Sequence, residues 1–357
     1  MSNKVKVGIV FGGRSAEHQV SLQSAKSIID AIDKDKYQPV LIGITPQGKW
    51  LLNESTACLL NDNDPKNISL INDGQPVALV ASDNKGEVIN TSGAPALNSV
   101  DVLFPVLHGP YGEDGSIQGL AKLANIPCVG SGIIGSAVGM DKDFTKRLLM
   151  LAGLNVADYE LVRRGNLTEE LISKIENRLH YPVFVKPANM GSSIGVSKAD
   201  NREALIAAVA KAAAFDTKVL VEAAIVGREI ECAVLGNDDP QASICGEIVS
   251  NHGFYDYDSK YIEADGATLS IPAQINDEES NLIRDISKKV FTTLECKGLS
   301  RVDVFLTPNG EVFINEVNTM PGFTKISMYP KLWEHSGVGY KQLIDTLIQL
   351  AIEDFVG

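Results

Sequence analysis

Four residues in the last fifth of the chain have the types and spacing of a metal-assisted phosphate site. In the segment 301–318, Asn309-Gly310 separates two strand-like runs, the strongest short-range signal for a β-hairpin. A two-residue turn there sets Asp303 opposite Glu316 and Arg301 opposite Asn318. All four then share one face, because strand side chains alternate. Carboxylates directly opposed on a sheet repel each other. A hard divalent cation between them removes that repulsion, and Asn318 adds an oxygen ligand. So few protein oxygens suit Mg²⁺ that completes its shell on substrate phosphates. The plainer alternative is a surface hairpin in which Arg301 neutralises the two acids.

Such a metal implies a phosphate cradle. The segment 181–195, Tyr-Pro-Val-Phe-Val-Lys-Pro-Ala-Asn-Met-Gly-Ser-Ser-Ile-Gly, ends a buried strand at Lys186 and continues into a loop with two glycines and two hydroxyls. It lacks the Gly-Lys-Ser/Thr of a Walker A loop and joins strand to strand, so a plain Gly-Ser hairpin competes with the cradle. Gly130-Ser-Gly132-Ile-Ile-Gly135 matches a dinucleotide fingerprint in letters. That motif needs a following helix and an acid at the end of the next strand. Here Asp158 and Glu160 fall within the next strand, and the first strand–helix turn, ending Gly12-Gly13, does not match. A nicotinamide-dependent oxidoreductase is therefore the distant alternative.

The elements that position these residues are those of an α/β protein. Residues 5–11 form a continuous apolar run, a buried parallel strand broken by Gly12-Gly13. Ser15 is expected to cap a helix with the stripe Leu22, Ala25, Ile29 and Ile32, and 39–44 is the next strand. This βαβ unit sets the loop 12–17 at a strand's C-terminal end, where such folds bind ligands. Residues 53–98 read as loops and edge strands, 102–107 as a buried strand, and 123–140 as a strand with a glycine-rich turn. A helix over 142–152 ends at Gly153. Then follow strand 156–162, helix 168–179, strand 183–186, helix 201–214 with Asp200 and Glu203 as a capping box, and strand 219–222. Strands at 229–235 and 243–249, an aromatic loop at 251–266, a helix at 278–294, the hairpin and a C-terminal helix complete the chain.

The 357 residues suffice for two or three domains. A net charge of −13 argues against a nucleic-acid or membrane-surface binder. Five scattered cysteines without C-x-x-C spacing read as free thiols in a reducing compartment. Four glycines and Pro127 within 123–140 argue against a membrane span. Val5 follows closely on Met1, with no room for a signal peptide, so a cytoplasmic location is expected.

The strand-end Lys186 before a Gly-Ser loop, the acidic end of Val219-Leu-Val-Glu222 and the hairpin ending Asn315-Glu-Val-Asn318 resemble the ATP-grasp superfamily. Three further motifs are similar to those of the D-alanine–D-alanine ligase family: Phe11-Gly-Gly-Arg-Ser-Ala-Glu17-His-Gln-Val-Ser21, His108-Gly-Pro-Tyr-Gly-Glu-Asp-Gly115 and Asn318-Thr-Met-Pro-Gly322-Phe-Thr. The similarity extends from about residue 3 to residue 355. It implies an N-terminal doubly wound parallel-sheet substrate domain (1–140), then an ATP-grasp module with mixed or antiparallel sheets, divided into a central (141–225) and a C-terminal (226–357) subdomain.

The activity implied is ATP-dependent ligation of two D-alanines through an acyl phosphate, for peptidoglycan synthesis, by a homodimer. By resemblance Glu17 holds the first D-alanine's ammonium and His108 lies near its carboxylate. Lys142 and Lys186 contact ATP phosphates, Glu222 and Glu229 line the nucleotide pocket, and Asp303, Glu316 and Asn318 carry two Mg²⁺ or Mn²⁺. Arg301 and the Gly322 N–H stabilise the oxyanion, and Ser327 holds the second D-alanine's carboxylate. Ser192 and Tyr261 close a lid with Glu17, and Lys260 on that lid reaches the γ-phosphate. Taken alone, His108 reads equally as a structural histidine, and Glu222 and Glu229 as solvated edge residues. Relatives that make D-alanyl-D-lactate lack the tyrosine lid, so Tyr261 favours an amine nucleophile. Ligation to D-lactate or D-serine is the nearer alternative. A non-catalytic amino-acid-binding protein of two lobes is another, and it has no use for the facing carboxylates.

Overall fold

The computed structural model describes residues 4–62, 64, 67–81, 86–91, 98–250 and 267–355. Three sheets carry the architecture. The first has seven strands, in the spatial order Asn98–Ser99, Glu87–Asn90, Gln75–Val80, Trp50–Asn53, Tyr37–Ile44, Val5–Gly12, Val102–Val106. Val5–Gly12 pairs in parallel with both its neighbours, whereas the remaining pairings are antiparallel. The parallel part of this sheet is thus three strands wide, extended by antiparallel edge strands. Alternation along Val5–Gly12 divides its side chains between two layers. Val7, Ile9 and Phe11 pack with Leu22, Ala25 and Ile29 of the helix His18–Ala31, while Val10 packs with Ile117 and Ala121 of the helix Ser116–Leu123. Each such buried aliphatic side chain contributes roughly 2 kcal/mol.

The second sheet, Tyr159–Arg163, Lys218–Ala223, Val183–Pro187, Ser197–Ala199, is antiparallel throughout and has its own core with the helices Glu169–Leu179 and Arg202–Ala213. The third, Ala267–Ser270, Gln241–Ser250, Arg228–Gly236, Gly298–Leu306, Val312–Asn318, is also antiparallel. One of its cores is shared with the helix Asp277–Thr293. Its other face joins the N-terminal sheet's core through Tyr329, Leu332 and Trp333 of Met328–His335 and through Leu343 and Leu347 of Tyr340–Asp354. The first and third sheets therefore share one hydrophobic cluster, and the second stands apart.

Several local expectations need correction. Ser15 is not the N-cap: the helix starts at His18, and the Ser15 hydroxyl accepts the Glu17 N–H at 3.0 Å. The helix Arg202–Ala213 is capped by Asn201, not Asp200. In 123–140 only Cys128 forms a strand-like bridge, to Leu103, and Ile133–Met140 is a helix. A Cβ at Gly135 would lie 2.5 Å from the Glu295 carbonyl and one at Gly139 2.6 Å from Thr319, so these glycines seat that helix against neighbouring chain. No helix among the described residues is long and apolar enough to cross a membrane.

Candidate active site

The hairpin sets the central row of side chains. Its connection is a three-residue loop, with Thr307 paired to Glu311 and Gly310 left-handed at φ +80°, not the two-residue turn expected. A bulge at Asn315 then shifts the register back, so Asp303 faces Glu316 and Arg301 faces Asn318 after all. The neighbouring strand adds Glu231 opposite Asp303, giving three carboxylates in a row across three strands. Arg301 lies among them. Its Nε and Nη2 donate to both Asp303 oxygens at 2.7 Å, and Nε is 3.0 Å from Glu231. Burial alone would lower the Arg301 pKa, but Asp303 and Glu231 hold it well above its ordinary value, so the guanidinium is permanently charged. Asn318 Nδ2 donates to Asp303 at 2.9 Å.

Among the described residues no group of three or more His, Cys, Asp or Glu side chains converges to hold a metal unaided. The facing Asp303 and Glu316 carboxylates and the Asn318 amide oxygen suit a hard cation that takes its other ligands from phosphates. Arg301 neutralises Asp303 as the plainer reading had it, and that pairing is compatible with a shared cation.

Two lysines approach this row from the central sheet and the adjoining helix. Lys142 opens the helix Lys142–Leu151. Its Nζ donates to the Met190 carbonyl at 2.8 Å and is 3.6 Å from Glu316. The cap residue Asp141 is gripped by Lys218 at 2.7 Å through both oxygens, which fixes the start of this helix on the central sheet. Lys186, next to last in the strand Val183–Pro187, lies 2.7 Å from Glu222 and 3.4 Å from the bulge residue Asn315. Glu222 lies on an inner strand, buried between Lys186 and Lys146, which rules out a solvated edge. Glu229 is half-buried, two residues before Glu231, with Phe305 and Ile248 as cross-strand neighbours.

The N-terminal loop meets the glycine loop of the central sheet. Gly12 and Gly13 both have left-handed backbones, and a Cβ at Gly12 would lie 2.2 Å from the Ile44 carbonyl, so only glycine makes this turn. The turn delivers Glu17, whose carboxylate accepts a hydrogen bond from the Ser192 hydroxyl. Ser192 and Ser193 have φ of +51° and +57°, a backbone that costs serine about 1 kcal/mol each. Such strain is found where geometry matters more than stability.

Near Glu17, His108 is buried, with Nδ1 donating to the Met320 carbonyl at 3.1 Å and Nε2 without a hydrogen-bond partner among the described residues. Burial holds its pKa down against the pull of Glu17, so Nε2 is a bare acceptor. Glu113 accepts the N–H groups of Gly109 (2.7 Å) and Met320 (3.2 Å), tying the His108 loop to the segment after the hairpin. That segment brings Gly322 beside Ser327, where a Cβ on the glycine would lie 3.1 Å from the serine hydroxyl. Ser327 Oγ is engaged by the Thr324 hydroxyl at 2.7 Å.

Tyr261 and Lys260, with the whole expected lid 251–266, lie outside the described residues. Glu231, Glu113 and Lys146 escaped the sequence reading. Lys146 follows Lys142 at helical spacing, and Glu231 is one strand alternation from Glu229, so both carried a usable signal.

The D-ala D-ala ligase N-terminus model matches residues 6–131, and the D-ala D-ala ligase C-terminus model matches residues 148–349. The chain belongs to the D-alanine–D-alanine ligase family. It is 55% identical over 350 residues to a D-alanine–D-alanine ligase of Shouchella clausii, covering 98% of this chain and 95% of the relative. It is 54% identical to D-alanine–D-alanine ligase A of Escherichia coli strain K12, covering 98% and 96%. Two solved ligases superpose closely. The D-alanine–D-alanine ligase from Coxiella burnetii gives a TM-score of 0.86 at 35% identity, covering 99% of this chain and 95% of that one. The VanG D-Ala:D-Ser ligase from Enterococcus faecalis gives 0.85 at 39% identity, covering 98% and 100%. The ligase family thus accounts for all three sheets in one chain.

Proposed function

We propose that this chain joins two D-alanines to D-alanyl-D-alanine at the expense of ATP, for peptidoglycan synthesis. One observation carries the reading: near-complete alignment with ligases of that activity, in a chain whose Glu17 is locked by Ser192 onto the loop that follows Lys186.

A carboxylate is a poor electrophile, so it must be activated before an amine can displace an oxygen from it. Glu17 receives the ammonium of the first D-alanine, oriented by the Ser192 hydroxyl. A carboxylate oxygen of that D-alanine then attacks the γ-phosphorus of ATP; an O–P bond forms, the bond to ADP breaks, and ADP leaves. Lys142 and Lys186 face the phosphoryl oxygens, and Lys260 joins them from the lid. The free amine of the second D-alanine, its carboxylate held by Ser327, attacks the acyl carbon. Arg301 and the Gly322 N–H meet the developing oxyanion, which collapses with loss of phosphate and a proton. Divalent cations held by Asp303, Glu316 and Asn318 would supply further charge neutralisation at the phosphates. His108 is assigned to the first substrate's carboxylate, and Glu222 and Glu229 to the nucleotide pocket.

Tyr261 is assigned to lid closure with Ser192 and Glu17, and Tyr261→Phe should raise KM for D-alanine. We also propose dividing the chain at 140 and 225: the separate core of the central sheet, from Val162 to Val221, supports a distinct central unit, while Leu149, Leu154 and Val156 pack into the core of the third sheet. A cytoplasmic homodimer is the corresponding family expectation. D-serine as second substrate is the other reading, favoured by the VanG superposition. Mass spectrometry of the product from ATP, Mg²⁺ and equimolar D-alanine, D-serine and D-lactate separates them. D-alanyl-D-alanine should dominate; a mixed dipeptide or depsipeptide as main product would replace this assignment.

A further inference from the structure

Among the ion pairs near the lysines, one group holds more charge than a resting site needs. Glu222 lies between two ammonium groups, Lys186 at 2.7 Å from Oε2 and Lys146 at 3.2 Å from Oε1. All three side chains are buried, at 5%, 7% and 2% exposure for Glu222, Lys186 and Lys146. One lysine would satisfy one carboxylate; a second buried cation adds desolvation cost. The two lysines differ in their alternatives. Lys186 also reaches Asn315, next to Glu316 of the carboxylate row, so it faces where phosphates are expected. Beyond Glu222, Lys146 meets among the described residues the Ala157 carbonyl at 3.4 Å and the Tyr159 ring at 5.7 Å.

We propose that Lys146 is a positioning residue for ATP: it is the standing counter-ion of Glu222, and it frees Lys186 to leave that carboxylate for the phosphates. The inference rests on the ligase reading above. Without Lys146, departure of Lys186 would strand a buried carboxylate, and nucleotide binding would have to offset that cost. With Lys146 in place the carboxylate stays paired in both states. Glu222 behaves as an ion in this setting: burial pushes its pKa up, but Lys146 and Lys186 more than reverse the effect. Burial holds the Lys146 pKa down, and Glu222 opposes it.

Binding of a non-hydrolysable ATP analogue with Mg²⁺, measured by calorimetry on the full chain, tests the assignment. Lys146→Met should weaken binding by about twentyfold or more, as expected for a stranded buried charge, while KM for D-alanine changes by less than about threefold. Lys146→Arg should recover most of the affinity. The double variant Lys146→Met/Glu222→Gln should bind the analogue more tightly than Lys146→Met alone, because Lys186 can then turn to the phosphates without stranding a buried carboxylate. Should Lys146→Met fail to fold by circular dichroism, Lys146→Gln serves in both single and double variants. Wild-type affinity in the single variant, or a double variant no tighter than the single, overturns the proposal. A wild-type chain that binds no nucleotide overturns the ligase reading instead.

Discussion

Glu113 makes this protein's stability depend on pH in an unusual direction. Its carboxyl is pushed up to about 8, chiefly by burial and then by the charge of Glu17, against the pull of the Gly109 and Met320 N–H groups and Lys142. At neutral pH the folded chain therefore holds a proton that the unfolded chain has released, and stability falls as pH rises. The loss begins near the ordinary carboxyl value of 4.5 and levels off above about 8. Linkage between those two values gives about 2 kcal/mol lost between pH 6 and pH 8. Glu113→Gln mimics the protonated carboxyl, keeps an acceptor for the tie to Met320 or Gly109, and cannot titrate. Urea unfolding of both proteins without ligands, at pH 6 and pH 8, reads the difference. The wild type should lose about 2 kcal/mol more than the variant over that interval. Any loss of a hydrogen bond in the variant, about 1 kcal/mol, displaces its whole curve and leaves the slope alone. Parallel pH dependences would refute the argument that Glu113 is protonated in the folded state.

Three further outcomes follow from the contacts. Ser192→Ala and Ser192→Gly both remove the donor to Glu17 and should raise KM for D-alanine about tenfold, and the glycine variant, relieved of a left-handed serine, should melt at least as high as the alanine variant. Arg301→Lys cannot reproduce the fork on Asp303; steady-state kinetics should show kcat lowered by about 10² to 10³, with an unchanged circular dichroism spectrum. Asp303→Asn with Glu316→Gln should abolish Mg²⁺-dependent turnover and leave the fold intact, and full activity in that double variant would remove the hairpin from the metal site.

The pairing of Asp303 with Glu316 was legible in the sequence, but through two compensating departures. The loop is one residue longer than Asn309-Gly310 implies, and the bulge at Asn315 restores the register. A bulge has no composition signal strong enough to read alone. Long apolar runs such as Val5–Gly12 declared themselves because a strand buried on both faces must be apolar at every position. The short helices Ile133–Met140 and Met328–His335 did not. The first carries two glycines needed for close packing and the second a proline at its third position, both contrary to helix propensity. Glu231 and Lys146 sit at readable spacings from Glu229 and Lys142, but neither they nor Glu113 show in the sequence what they bind. Their partners Arg301, Met320 and Glu222 are distant in sequence and meet only in the folded chain.

Oxygen transfer from substrate to phosphate tests the central claim most directly. With D-alanine labelled by ¹⁸O in its carboxylate, ATP and Mg²⁺, activation through an acyl phosphate moves one carboxylate oxygen into each phosphate released. Phosphate release should require D-alanine, and the phosphate should carry one ¹⁸O for each dipeptide formed. Unlabelled phosphate, or release that does not depend on D-alanine, would contradict the account.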